Sequence, residues 1–262
     1  MSSPVRFEIR DRIGVLTLNR PDKLNALVPE MRAGFEEGLA KSAEPGVKAL
    51  LIRGEGKAFS VGGDIGWMVQ CLREDRQAEL HDLLNLGGEV AYALRTLPKP
   101  VVAVVQGAAA GGGMGLALSA DLRIATPDLV LSMAFVKIAL HPDWGSIVAL
   151  ARLVNPAVAA ELMLTGDRVD AQRALALGLV NQVVPAEQLD AVVEGLCRQL
   201  AGGPGTTVAR IKETVLRNQG LDAPKLKALL EAEAAEMKAA MARPEAKEGL
   251  AAFLEKRAPR FN

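Results

Sequence analysis

The sequence is short of aromatic residues and has no excess of charge of either sign. Aromatic residues make up 3% of the 262 positions, which argues against a protein that stacks nucleic-acid bases on its side chains. The 31 basic residues balance 31 acidic residues, so no overall field attracts the chain to nucleic acid or to an anionic membrane. The composition therefore predicts that neither nucleic acid nor a membrane surface is a partner.

Cysteine is scarce, and long apolar runs and an apolar leader are missing. The two cysteines, Cys71 and Cys197, lie far apart without a metal-ligand spacing, which argues against a disulfide scaffold and a zinc site. No stretch reaches the roughly 18 uninterrupted apolar residues of a membrane-spanning helix, and the N-terminus lacks the apolar segment of a signal peptide. We therefore expect a soluble cytoplasmic protein with reduced thiols and no metal site.

What the chain has in abundance, at one place, is glycine. Residues 101–105 are apolar and mostly β-branched, which predicts a buried strand, and four glycines within residues 111–115 then open a predicted Ala/Leu-rich helix. This order is typical of an anion site, because unpaired N–H groups lie at the positive end of a helix. Close packing of the helix on a sheet explains the same glycines equally well. A dinucleotide-binding loop is excluded, since Leu116 stands where G-x-G-x-x-G requires glycine.

The rest of the chain alternates strands and helices and then becomes helical. Ahead of the glycine cluster, the apolar spacing predicts a β-hairpin over residues 7–18, an amphipathic helix centred on Phe35, a strand over residues 47–53 and a helix over residues 83–97. Two short strands are expected around the turn at 126–128, and beyond Pro156 the chain is predicted to be almost wholly helical. These patterns predict an α/β core over residues 1–200 and a helical region over residues 201–262.

Two motifs together resemble a known family. The first is Ala58-Phe59-Ser60-x-Gly62-x-Asp64-Ile65, and the second, some fifty residues later, is Gly107-x-Ala109-x-Gly111-Gly112-Gly113. This pair is similar to the signature of the crotonase (enoyl-CoA hydratase/isomerase) superfamily, and the similarity extends from about Val5 to Phe261. The resemblance implies a spiral core of ββα units, a C-terminal helical trimerisation region, a homotrimer or hexamer, and an acyl-CoA thioester as substrate. It implies no permanently bound cofactor, with coenzyme A entering as part of the substrate.

The resemblance also assigns roles to individual residues. The backbone N–H groups of Ser60 and Gly112 are the implied oxyanion hole for the thioester oxygen, each donor stabilising it by roughly 3–4 kcal/mol. The residues implied to hold coenzyme A are Lys23, Ala26, Gly62, Asp64 and Ile65, together with Phe253 and Lys256 of the same or a neighbouring subunit. Lys23 and Lys256 could equally be solvated surface charges, and Asp64 a helix N-cap.

The sequence departs from the hydratases of this family at two positions. Hydratases carry two glutamates there, one for water and one for carbon, whereas this chain has Gly115 and Phe135. The remaining acid in the neighbourhood is Asp143, which follows a proline as does the acid of some enoyl-CoA isomerases. Apolar neighbours would raise the pKa of its carboxyl, and Asp143 is therefore the predicted proton carrier. The alternative is that Asp143 only caps the helix that follows Ser146.

Other activities remain open at this point. Thioester hydrolysis or weak hydration could use a water held by Asp143 or Glu89, and a silent acyl-CoA-binding protein would keep the oxyanion loops without chemistry. Dehalogenation is disfavoured, because Gly88 and Phe135 stand where aryl-CoA dehalogenases carry histidine and tryptophan. His141 is expected either to tune Asp143 or merely to pack in its loop.

Overall fold

The computed structural model describes residues 3–261, and it arranges the chain as strands and helices in close alternation. In chain order the strands are β1 (Val5–Arg10), β2 (Ile13–Leu18), β3 (Ala49–Gly54), β4 (Val101–Val105), β5 (Ala108–Ala110), β6 (Leu122–Ala125), β7 (Val130–Ser132), β8 (Arg168–Asp170) and β9 (Gln182–Val183). The helices are α1 (Arg32–Ala43), α2 (Ile65–Arg73), α3 (Gln77–Thr96), α4 (Gly112–Leu118), α5 (Ser146–Leu153), α6 (Pro156–Thr165), α7 (Ala171–Ala176), α8 (Ala186–Gly202), α9 (Gly205–Asn218), α10 (Ala223–Met241) and α11 (Pro244–Leu254).

The larger sheet has the strand order β1-β2-β3-β4-β6-β9. β1 and β2 form the predicted antiparallel hairpin, and every later pair in this sheet is parallel. β2 and β4 are buried at every position, as expected of apolar strands covered on both faces. Val102 and Val104 face α8, whereas Val101, Ala103 and Val105 face the main core. The strands predicted over residues 47–53 and 101–105 are present as β3 and β4, and the α/β class is confirmed.

A second, smaller sheet of β5, β7 and β8 makes the core a spiral. After β4 the chain turns at Gly107, where φ is +57°, and continues as β5 in the second sheet. The next pair repeats this step, since β6 joins β4 and β7 joins β5. The two strands predicted around residues 126–128 are present, but they pair with different sheets rather than with each other. This is the stacked ββα arrangement that the resemblance implied.

Gly107 has the backbone conformation and surroundings that exclude a side chain. A Cβ there would overlap the carbonyl oxygen of Lys57, in addition to the strain of a positive φ. We therefore expect Gly107→Ala to lower the free energy of unfolding by about 3 kcal/mol or more. Gly178 is the control: its φ is +73°, but no atom of the described residues other than its chain neighbours lies within 4 Å of its Cβ position, so Gly178→Ala should cost only about 1 kcal/mol. Equal losses in urea denaturation would contradict this steric account.

The C-terminal helices contribute to the core as well as following it. α10 packs along α3, and α11 packs against α2 and the 3₁₀ helix Ala134–Ile138. Met237, Met241 and Leu250 from these helices belong to the main core cluster. α9 differs, because Ile211 and Val215 lie exposed on its surface. Within residues 3–261, no helix combines the length and apolar character needed to cross a membrane.

Candidate active site

The two motifs found in the sequence meet through a short backbone bridge. Ser60 N–H donates to the Ala108 oxygen at 3.1 Å, and Ala110 N–H donates to the Ser60 oxygen at 3.0 Å. The motifs approach closely at Gly113, whose Cβ would lie 2.2 Å from the Ser60 oxygen, and at Gly62, whose Cβ would lie 2.7 Å from the Ala110 oxygen and 3.1 Å from Gly112 N. Glycine at position 62 therefore lets the first motif lie directly against the start of α4.

A buried asparagine holds the first motif in place. Asn25 is fully buried with φ +55°, and its amide donates to the oxygens of Glu55 and Ala58 at 3.0 and 2.8 Å. Its backbone oxygen accepts a 2.8 Å hydrogen bond from the Ser60 hydroxyl. The Ser60 side chain thus supports the loop and is not a nucleophile. Sequence reasoning missed Asn25, although Asn in a loop tolerates this left-handed conformation unusually well.

The hydrogen bonds correct the identity of one predicted oxyanion donor. Because Ser60 N–H is already paired with the Ala108 oxygen, it is not free for a ligand. The next N–H groups of the loop are also paired, those of Val61 with the Leu24 oxygen, Gly62 with the Ser60 hydroxyl and Asp64 with the Leu27 oxygen. Within the part of the chain that the structure describes, the Gly63 N–H makes no hydrogen bond, and Gly63 lines the central cavity. Gly63 replaces Ser60 as the candidate donor from this loop.

Gly112 keeps the position that the sequence predicted. It is the first residue of α4, after Gly111 with φ +51°, and it lines the same cavity as Gly63. Among the described residues no acceptor pairs with the Gly112 N–H, as is usual in the first turn of a helix. The cavity thus receives one unpaired N–H from each motif, and α4 adds the favourable end of its dipole.

The cavity beside these glycines has a volume of about 550 Å³ and mostly apolar walls. Its apolar side chains come from α2, α3, the 3₁₀ helix Ala134–Ile138, the loop after it and the C-terminal helices, and include Met68, Leu83, Leu84, Phe135, Ile138, Leu140, Trp144, Met237 and Phe253. Among the described residues, Asp143 is the only carboxylic acid that lines it. The site therefore combines two backbone donors, one acid and an apolar chamber.

Asp143 lies in the loop between the 3₁₀ helix and α5 with only 3% of its surface exposed. Burial is the first cause that raises the pKa of its carboxyl well above the usual value, and the nearby Glu233 carboxylate is the second. The proposed capping role is wrong for this side chain. α5 has Gly145 at its N-cap, and Val148 N–H in its first turn donates to Glu233 Oε1 at 2.8 Å.

Gly115 occupies one of the positions where a hydratase acid was expected. A Cβ at this residue would lie 2.5 Å from the Ser146 hydroxyl and 2.6 Å from the Trp144 oxygen. The loop that carries Asp143 therefore fills the space that a larger residue would need. Trp144 fills the adjoining space, since a Cβ on Gly87 would lie 2.6 Å from its indole ring.

The two other candidate side chains around the cavity have different outcomes. Glu89 does not line the cavity; it is 57% exposed and pairs with Arg32 at 2.6 Å. Glu89 is therefore a surface residue, and the alternative in which it holds a water for hydrolysis or hydration gains no support from its position. His141 is half-buried beside Asp143 in the chain, and its Nδ1 has no hydrogen-bond partner among the described residues.

The residues predicted to hold coenzyme A fall into two groups. Gly62, Ile65 and Phe253 line the cavity. The other four do not line it. Lys23 is exposed and Ala26 is buried on the loop whose backbone bonds to Gly62, and Lys256 is exposed just beyond α11. Asp64 caps α2 by accepting from Trp67 N–H at 3.2 Å, and it pairs with Arg20 at 3.1 Å. The N-cap alternative for Asp64 is thus confirmed, and ligand binding by these residues stays a prediction.

Glu233 makes the stability of the fold dependent on pH. Burial raises its pKa from 4.5 to about 7, so the folded state holds a proton that the unfolded chain releases. This stabilisation is complete below pH 4.5 and is lost as the pH rises through 7, a change of about 3 kcal/mol. We expect wild type to lose more stability than Glu233→Gln between pH 5 and 8 in urea denaturation. Parallel losses in the two proteins would contradict this assignment.

Comparison with known proteins identifies the family. The family model described as enoyl-CoA hydratase/isomerase matches residues 8–262. The chain is 31% identical to a trans-2-decenoyl-(acyl-carrier-protein) isomerase of Streptococcus mutans, covering 98% of this chain and 97% of that one. It is 33% identical to a crotonyl-CoA hydratase of Syntrophomonas wolfei, covering 97% and 96%. A crystal structure of an enoyl-CoA hydratase from Mycobacterium avium subsp. paratuberculosis matches all of both chains with a TM-score of 0.88 and 31% identity. The chain belongs to the enoyl-CoA hydratase/isomerase family of the crotonase superfamily.

Proposed function

We propose that this protein is an enoyl-CoA isomerase that moves a double bond of an acyl-CoA thioester from C3 to C2. The observation that carries the proposal is the single acid of the described cavity, Asp143. Hydration in this family uses one acid for water and one for carbon. Isomerisation needs only one carboxylate, which takes a proton from C2 and returns it to C4.

The surroundings of the two expected hydratase positions support this choice. Gly115 leaves no space for a glutamate side chain, because Ser146 and Trp144 lie within 2.6 Å of its Cβ position. Phe135, at the second position, contributes an apolar ring to the cavity wall. Neither of these two positions therefore supplies a carboxylate that could activate a water molecule. The relatives include both a hydratase and an isomerase, so the distinction depends on these residues.

The reaction follows from the positions of the donors and the acid. With the thioester oxygen between the N–H groups of Gly63 and Gly112, Asp143 removes a proton from C2 and becomes neutral. The electron pair of the broken C–H bond moves into the carbonyl, and the two N–H groups stabilise the resulting dienolate oxygen. Asp143 then gives its proton to C4, the double bond settles between C2 and C3, and the carboxylate is regenerated. No water or further reactant is consumed.

The remaining expectations complete the proposal. Coenzyme A enters as part of the substrate, held by Lys23, Ala26, Gly62, Asp64 and Ile65 and by Phe253 and Lys256. Gly62, Ile65 and Phe253 already line the cavity, which supports this arrangement. The exposed Ile211 and Val215 of α9 support assembly into a trimer or hexamer through the C-terminal region. The proposed location of the protein is the cytoplasm.

The products formed from two substrates test the proposal. The purified protein is incubated with a 3-enoyl-CoA and, separately, with the matching 2-enoyl-CoA, and the products are separated and weighed by mass spectrometry. We expect interconversion of the two isomers without change in mass. Gain of one water by most of the product would assign a hydratase, and release of free coenzyme A would assign a hydrolase. Tight binding of either substrate without turnover would assign a silent binding protein.

A further inference from the structure

Glu233 is an acid on the buried side of an otherwise apolar helix face. On α10 it lies among Leu226, Leu230, Ala234 and Met237, all of which are buried. Its own exposed fraction is 5%. A carboxylate at such a position is costly unless hydrogen bonds or a charge partner compensate for the lost water. Its location therefore requires an explanation beyond packing.

The hydrogen bonds of Glu233 lead directly to the loop that carries Asp143. Its Oε1 accepts a 2.8 Å hydrogen bond from Val148 N–H, in the first turn of α5. Gly145 is two residues from Asp143, and Ser146 N–H bonds back to the Asp143 backbone oxygen at 3.0 Å. Glu233 thus supplies, from a distant helix, the cap that α5 lacks locally, and it fixes the end of the Asp143 loop.

The negative charge of Glu233 affects the ionisation of Asp143. A negative charge on Glu233 of α10 opposes the ionisation of Asp143. Burial of both groups keeps the surrounding dielectric low, which strengthens this repulsion. Arg95 on α3 is the cation that favours the charged form of Glu233. The positive charge of Arg95 is also attracted by Asp121 and repelled by Arg152 of α5. Within residues 3–261, Glu233 Oε2 has no hydrogen-bond partner. A negative charge on Glu233 raises the pKa of the Asp143 carboxyl, so removing that charge should lower it.

We propose that Glu233 is a positioning residue for the proton carrier, holding the loop of Asp143 through the first turn of α5 and strengthening Asp143 as a base by its negative charge. The expected effect on catalysis rests on the proposed function, whereas the effect of Glu233 on the Asp143 carboxyl does not. Asp143 must be ionised to accept the C2 proton, so the rate should rise with pH through the titration of the pair. Removing the neighbouring negative charge should move this rise to lower pH and weaken the base.

Two variants separate the charge from the hydrogen bond. Glu233→Gln keeps an oxygen acceptor for Val148 N–H and removes the charge, whereas Glu233→Asp keeps the charge on a shorter side chain. Glu89→Gln removes an exposed carboxylate of α3 and is the control. We expect Glu233→Gln to lower the plateau value of kcat about tenfold and to shift the acidic limb of the pH profile to lower pH. Glu233→Asp and Glu89→Gln should keep that limb in place.

A titration that does not depend on turnover decides the inference. Asp143 is observed by carbon-13 NMR of labelled aspartate carboxyl groups and identified by the signal that disappears in Asp143→Asn. A lower titration midpoint in Glu233→Gln than in wild type supports the inference, and an unchanged midpoint in a folded variant overturns it. Because this readout needs no substrate, it judges Glu233 even if the product assay rejects the isomerase. Circular dichroism confirms that each variant is folded.

Discussion

Replacing Asp143 by asparagine is expected to lower the rate of double-bond migration between about 100-fold and 10 000-fold, the range associated with a positioned proton carrier. Asparagine has nearly the same size, so the loop packing should survive, but the amide cannot accept the C2 proton. The raised pKa of the buried Asp143 makes the loss greater, because the wild-type carboxylate is a stronger base than an exposed one. The measurement is kcat and kcat/KM with a 3-enoyl-CoA.

The control for Asp143→Asn is Glu89→Gln, which removes a carboxylate that is 57% exposed and outside the cavity. This control should retain wild-type kcat within about twofold, since exposed ion pairs contribute little. Migration at an undiminished rate in folded Asp143→Asn would contradict the role given to Asp143. Binding of acyl-CoA by the variant, measured by calorimetry, shows that the site itself is intact.

Replacing Gly63 by proline is the second large expected effect, because proline has no backbone N–H to donate. Its ring also fixes φ and restricts Gly62, so a folding check and a second variant at the same position are part of the test. We expect kcat to fall about 100-fold to 1000-fold, as on removal of one oxyanion donor. The Gly63 N–H takes part in no hydrogen bond within residues 3–261, so its removal breaks no hydrogen bond of the loop itself. The measurement is kcat with a 3-enoyl-CoA, with folding checked by circular dichroism.

The matched control for Gly63→Pro is Gly63→Ala, which adds a methyl group and keeps the N–H. Among residues 3–261, and apart from the chain neighbours of Gly63, only the Met68 sulfur lies within 4 Å of its Cβ position, at 2.9 Å, and it belongs to a flexible side chain that can move. Gly63→Ala should therefore keep most of the activity. If both variants kept wild-type kcat, Gly63 would not be an oxyanion donor, and if both lost it equally, the loop shape rather than the N–H would be responsible.

Much of the fold was predictable from the sequence because its long elements have clear periodicity. The hairpin of β1 and β2, the buried strands β3 and β4 and the helix α3 all overlap the segments that the apolar spacing predicts, although α3 begins at Gln77 rather than at Leu83. The three-residue strands β5 and β8 were missed, since β5 is three alanines and shows no strand preference. The start of α2 was hidden by the glycines at 62, 63 and 66, although Asp64 was recognised as a possible cap.

The site was predictable to the level of the loops but not of the individual N–H groups. Both glycine motifs and Asp143 were found from residue types and order. Which N–H faces the cavity depends on the register of the bridge between Ser60 and Ala109, and that is a property of the folded chain. Glu233 was missed for a similar reason: α10 carries glutamates at 231, 233 and 236, and only the packing on α3 and α5 buries one of them.

The central claim is that one carboxyl group, Asp143, carries the proton from C2 to C4. The most direct test is a 3-enoyl-CoA labelled with deuterium at C2, incubated with wild type in ordinary water and stopped early in the reaction. We expect part of the deuterium to be recovered at C4 of the 2-enoyl-CoA product, and we expect Asp143→Asn to form almost no product. Rapid isomerisation with no label at C4, together with full activity of Asp143→Asn, would contradict it.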